Sequence, residues 1–144
     1  MYSGKGKMTK LSISILCETE LLVVGGGLAA AERAVAAARN GIRTILVSAF
    51  AFPGWEITGQ WDFASSGWRN SPLLAKLAAG EDWPLPARVK HVLLENLKNA
   101  GVQFIGQLRL LEKLPEGGIF AGRSGFHFIT ALKIEDYRLP RAPW

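Results

Sequence analysis

The 144-residue chain has few of the side chains that staple a fold or build a reactive centre by themselves. Its single cysteine, Cys17, excludes an internal disulfide and any zinc site made from several thiolates. Two histidines, His91 and His127, are too few for a metal cluster. There is no Ser–His–Asp signature and no P-loop lysine. Long apolar runs are absent as well. The longest stretch, Leu21 to Ala38, is interrupted by Glu32 and Arg33 and contains three consecutive glycines, so no membrane span is expected. The first residues lack an apolar run leading to a small-residue cleavage site, which argues against a secretion signal. Net charge is +5, and three of those charges are Lys5, Lys7 and Lys10. The remaining basic residues neither cluster nor interleave with aromatics, so no nucleic-acid partner is expected. These absences describe a cytoplasmic chain in a reducing compartment, without metal and without membrane.

What is present is a well-supplied core. With 49% hydrophobic and 20% charged residues, the chain reads as one domain, assigned to residues 11–136. A flexible basic segment (1–10) precedes it and an irregular tail (137–144) follows. Leu11 to Leu16 alternates apolar and polar residues and suits a short edge strand. Glu20 to Val24 is a continuous apolar run ending in glycine, the pattern of a buried parallel strand. Leu28 to Asn40 holds seven alanines and neither glycine nor proline, and is expected to be helical up to Gly41. Arg43 to Val47 forms a second buried strand, completing a right-handed βαβ unit.

Residues 49–85 form an excursion rich in Trp, Gly and Pro, with Trp55, Trp61, Trp68 and Trp83. Within it, Ser71 and Pro72 read as the N-cap and first residue of a short helix. Pro86 to Ala100 carries Val89, Val92, Leu93, Leu97 and Ala100 on one helical face, and Gly101 closes it. Val102 to Ile105 is a third strand. Gln107–Leu114, Gly118–Gly122 and Phe126–Ile134 then read as an antiparallel meander, turning at Glu116–Gly118 and Arg123–Gly125. The expected fold class is α/β: a partial Rossmann-like parallel sheet (βαβ) with an antiparallel β-meander.

One motif carries chemistry. Gly25-Gly26-Gly27-Leu28-Ala29-Ala30 fits G-x-G-x-x-G/A between a buried strand and a helix. Gly25 would make the tight turn, Gly27 would admit a pyrophosphate close to the backbone, and Ala30 would let helix and sheet pack closely. The phosphate would face free N–H groups at the positive end of the helix. Other polar residues have plainer readings. Cys17 lacks a basic partner, His91 sits on a helix surface and His127 fits strand alternation. The adjacent Glu81 and Asp82 are no catalytic dyad, and loop packing accounts for the tryptophans at 55, 61 and 68. No catalytic residue can be named.

The segment ELLVVGGGLAAAERAVAAARNGIRTILV (20–47) resembles the N-terminal part of FAD-dependent oxidoreductases of the glutathione-reductase-like, two-dinucleotide-fold type. The helix at Pro86–Leu97, the strand Ala100–Phe104 and the turn Gly122–Gly125 follow in that family's order, so the resemblance spans about residues 19–134. It implies an FAD site with Gly25, Gly26, Gly27, Leu28, Ala29 and Ala30 at the pyrophosphate. Position 48, where the family places an acid on the adenosine ribose, is Ser48. Replacing a charged hydrogen bond in this way costs about 1.5–3 kcal/mol, a roughly ten- to hundredfold loss of affinity. The family's glycine pair is reduced to Pro53-Gly54-Trp55, with Gly54 retained. Lys133 to Tyr137 stands where an Ala-Thr-Gly turn touches the flavin. The family's substrate domain has no counterpart, so the resemblance implies an incomplete FAD-binding module. Two other readings stay open: a non-catalytic remnant whose unpaired sheet edge associates with a second subunit or another copy, and an NAD(P)H-binding reductase module. No arginine closely follows Ser48 in sequence to favour the latter.

Overall fold

The computed structural model describes residues 13–63, 67–80 and 84–138. The basic segment 1–10, Glu81, Asp82, Trp83 and most of the tail lie outside the described residues.

A six-stranded mixed sheet has the order β3-β2-β1-β6-β5-β4. β1 (Ser14–Val24) pairs in parallel with β2 (Thr44–Val47), and β2 pairs in parallel with β3 (Gln103–Ile105). On its other side β1 runs parallel to β6 (Gly125–Asp136). β4 (Arg109–Leu114), β5 (Gly117–Gly122) and β6 form the antiparallel meander. The fold is therefore the α/β arrangement expected, with the meander joined to the parallel strands through β6.

The expected edge strand at Leu11–Leu16 is corrected. From Ser14 onward it is the first half of β1, which occupies the middle of the sheet. The misleading alternation has a local cause. Ser14 to Thr19 pairs only with β6, because β2 begins opposite Leu21. A one-sided half-strand stays partly exposed, whereas Leu21–Val24, flanked on both sides, is wholly buried. A register irregularity between Ile15 and Cys17 falls within the one-sided half.

One face of the sheet is covered by α1 (Leu28–Arg39) and α4 (Pro86–Ala100). Ala30, Ala31, Ala34 and Ala37 of α1 are completely buried, which lets the helix backbone lie close to the strands. Gly41 and Gly101 follow the two helices at φ of +85° and +86°, a conformation in which glycine lacks the Cβ penalty. Val89, Leu93 and Leu97 are the buried stripe of α4, and each such side chain contributes about 1.5–3 kcal/mol of burial. The opposite face is closed by the meander itself, where Phe120, Ile129 and Leu110 cover Leu22, Val24, Ile45 and Val47.

The excursion between β2 and α4 is folded wherever it is described. It holds α2 (Trp55–Thr58), a 3-10 turn at Trp68–Asn70, another at Pro72–Leu74 and α3 (Ala75–Gly80). The Ser71 hydroxyl accepts the Leu73 N–H at 3.3 Å, the capping role expected of it. Among the described residues no helix is long and apolar enough to cross a membrane, and no group of three or more His, Cys, Asp or Glu side chains is placed to hold a metal ion.

Candidate functional site: an oxyanion seat at the first strand-to-helix turn

Gly25, Gly26 and Gly27 join the end of β1 to the start of α1, where the motif requires them. The Gly25 N–H donates to the Val47 carbonyl at 2.9 Å, fixing the turn against β2. A Cβ on Gly25 would lie 2.9 Å from the Ala30 Cβ and 3.1 Å from that of Tyr137, so Gly25 and Ala30 share one close contact. Gly27 is the N-cap of α1, has no side chain to cap with, and is followed by a first turn without acidic residues. The first amides of that turn have no acceptor within the helix and lie at the positive end of its dipole. Leu28 and Ala30 point into the core, and Ala29 is exposed.

An oxyanion already sits there. The Leu28 N–H donates to both carboxylate oxygens of Glu56, at 3.1 and 3.2 Å. A Cβ on Gly27 would lie 3.1 Å from one of those oxygens, so the missing side chain is what admits the carboxylate. Glu56 is delivered by α2, whose start is tied to the glycine turn by a 2.8 Å bond from the Trp55 N–H to the Gly26 carbonyl. Gly54, at φ +65°, turns the chain into α2 and packs against Leu93 and Leu28. The sequence contained no cue for Glu56, whose partner is 28 residues away.

Ser48 follows β2 and is fully buried. Its hydroxyl accepts the Phe50 N–H at 2.9 Å and its oxygen would lie 2.8 Å from a Cβ on Gly26. The Phe50 ring also borders Gly26 and stacks on Trp55 with centroids 4.8 Å apart. The three tryptophans singled out from the sequence thus separate. Trp55 stacks on the Phe50 ring that borders Gly26, Trp68 is core and contacts Phe63 edge-on, and Trp61 is 66% exposed.

Behind the seat, the end of β6 is held to α1. Arg33 donates to both oxygens of Glu135, at 2.6 and 2.9 Å. This paired hydrogen bonding, helped by Lys133 and the Tyr137 hydroxyl against the cost of burial, holds the Glu135 carboxyl down at about 2. The Tyr137 N–H continues past β6 to the Val24 carbonyl at 2.7 Å. Arg138 chelates Asp136, lowering its pKa, and donates to the Leu110 carbonyl. Glu135 and Asp136 are thereby neutralised by partners of their own, whereas Glu56 is spent on the helix terminus.

Beyond Ser48 lies an open depression of about 350 Å³, lined by Ala49, Gln107, Arg109, Ala121, Gly122 and Arg123. The fold brings two arginines to the end of β2 that sequence distance had hidden. Elsewhere, His91 is exposed on α4, and His127 is hydrogen-bonded to the hydroxyls of Ser124 and Ser14. Burial raises the pKa of the Cys17 thiol.

A free helix-terminus donor at a glycine turn is chemically able to take an oxyanion such as a phosphate. The sequence matches the family described as FAD dependent oxidoreductase over residues 20–113. No curated protein matches closely enough to count as a relative. Among solved structures, the chain is similar to the myxobacterial chondrochloren halogenase CndH, described as a variant of FAD-dependent halogenases (TM-score 0.62, 18% identity, 88% of this chain and 38% of that one). It is similar to the bacillithiol disulfide reductase Bdr from Staphylococcus aureus (0.59, 15%, 86% and 39%). A flavocytochrome c3 fumarate reductase is a third (0.59, 15%, 85% and 34%). At these identities the likeness establishes the fold. The chain spans between 34% and 39% of the length of these three relatives.

Proposed function

The chain belongs to the FAD dependent oxidoreductase family, and on that footing we propose that it binds FAD as one module of a larger flavoprotein assembly in the cytoplasm. The reading is carried by the Leu28 amide, which already binds both oxygens of a carboxylate at the glycine turn. A diphosphate presents the same acceptors to the same donors. Gly25, Gly26, Gly27, Leu28, Ala29 and Ala30 would hold that diphosphate. Ser48, fully buried with its hydroxyl on the Phe50 N–H, would lie behind the adenosine side without touching the ribose, and Gly54 would shape the near wall. When bound, the flavin supplies the redox chemistry, and the chain supplies binding and orientation. This chain's own residues contribute helix-terminus amides, a close backbone approach and an aromatic wall from Phe50 and Trp55. Substrate contacts are assigned to a second subunit or another copy.

The test is direct. Titrating the purified chain with FAD should quench tryptophan fluorescence, because Trp55 stacks on the Phe50 ring bordering the glycine turn, and should saturate at micromolar FAD. Absence of both quenching and retained flavin absorbance after gel filtration would refute the proposal. A second reading has one observation in its favour. Arg109 and Arg123 line the depression beyond Ser48, and none of its described lining residues is acidic, a setting that suits the 2′-phosphate of NADPH. NADPH binding that is much tighter than both NADH and FAD binding would favour it.

A further inference from the structure

We propose that Glu56 is an internal ligand of the phosphate seat, which must swing out before a nucleotide diphosphate can enter. The inference rests on the FAD-binding reading and adds a competitor to it. One amide, that of Leu28, is claimed by both oxygens of the Glu56 carboxylate. An incoming diphosphate needs the same amide and the same dipole end, and carries the same sign of charge. The two anions therefore exclude one another. The first turn of α1 has no acidic residue and Gly27 offers no side chain, so Glu56 supplies the capping carboxylate that the helix itself lacks.

The backbone around Glu56 is fixed, so its side chain can move while α2 stays in place; the Phe50 ring against Gly26 is a separate wall of the seat. The backbone of α2 is fixed by the Trp55 N–H on the Gly26 carbonyl, by fully buried Ile57, and by the Thr58 hydroxyl on the carbonyls of Pro53 and Gly54. Glu56 itself is only half-buried. Rotation about its own torsions frees the amide while α2 stays in place. Neither Glu135 nor Asp136 can take over as a cap, because Arg33 and Arg138 hold them. The Leu28 amide is thus satisfied without ligand, and nucleotide affinity is set by the competition with Glu56.

The full chain, Glu56→Gln and Glu56→Ala should be titrated with FAD, following tryptophan fluorescence and flavin absorbance. Both variants should bind about tenfold more tightly than the parent, equivalent to ~1.4 kcal/mol. Inorganic pyrophosphate should compete at lower concentration in the variants. Without nucleotide, the Leu28 amide proton should shift upfield in Glu56→Gln, reporting the loss of the charged acceptor directly. Glu56→Gln keeps the side chain's shape, so it remains informative if Glu56→Ala is poorly folded. Equal FAD affinity in all three proteins, or a Leu28 amide that does not move, overturns the competition and leaves FAD binding standing. A Leu28 shift with no FAD binding in any of the folded proteins overturns the FAD reading, and the competitor role with it.

Discussion

Gly54→Ala tests whether α2, and with it Glu56, is placed as described. Gly54 adopts φ +65° and ψ +41°, where an alanine costs about 1–2 kcal/mol through its Cβ. The added methyl would also run into the Leu93 side chain and touch that of Leu28. Leu93 is fully buried, so it cannot turn away into solvent. Overpacking of this kind costs about 1–3 kcal/mol. Together these give a loss of about 2–5 kcal/mol, which for a domain of this size is a fall in Tm of roughly 6–20 °C. Gly101→Ala is the internal control. Gly101 has φ +86° but nothing within 4 Å of a built Cβ, so only the backbone cost of about 1–2 kcal/mol applies. Urea unfolding of both variants isolates the packing contribution as their difference. If Gly54→Ala costs no more than Gly101→Ala, the contact between Gly54 and α4 is not made. The delivery of Glu56 to the helix terminus would then lose its support.

The Arg33–Glu135 pair gives a pH prediction. Glu135 falls from an ordinary value of 4.5 to about 2 in the folded chain. A lowered folded-state pKa contributes stability that is complete above pH 4.5 and is lost as the pH falls towards 2. Arg33→Ala should return Glu135 towards 4.5 in a carboxyl NMR titration and flatten that acid limb by about 1–2 kcal/mol, allowing for partial solvent screening. A carboxyl still titrating near 2 in the variant would refute the assignment. Ser71→Ala removes the cap on Leu73 and should cost ~1 kcal/mol in chemical denaturation, with no effect on FAD titration because the cap lies away from the seat. Unchanged stability would show that the bond contributes nothing.

The strand–turn–helix–strand unit was legible because its signals are local. Apolar runs, an alanine-dense segment and glycines at its two ends constrain neighbouring residues through propensity and sterics, and these act over a few positions. The same holds for α4, whose expected bounds, Pro86 and Ala100, are those found. β1 was misjudged as two pieces because alternation records how many neighbours a strand has at each point, which is a property of the sheet. Likewise Gln107, Arg109 and Arg123 reach the end of β2 only because the meander folds back over it.

The amino-acid order alone therefore determined the α/β class, the position of the glycine turn and the oxyanion-binding end of α1. Tertiary structure alone decided what meets that end. Glu56, Phe50 and Trp55 come from a segment whose sequence has no periodicity, and their placement depends on Gly54 packing on α4. Contacts between residues far apart in the chain are selected by the packing energy of the whole domain, so no local pattern records them.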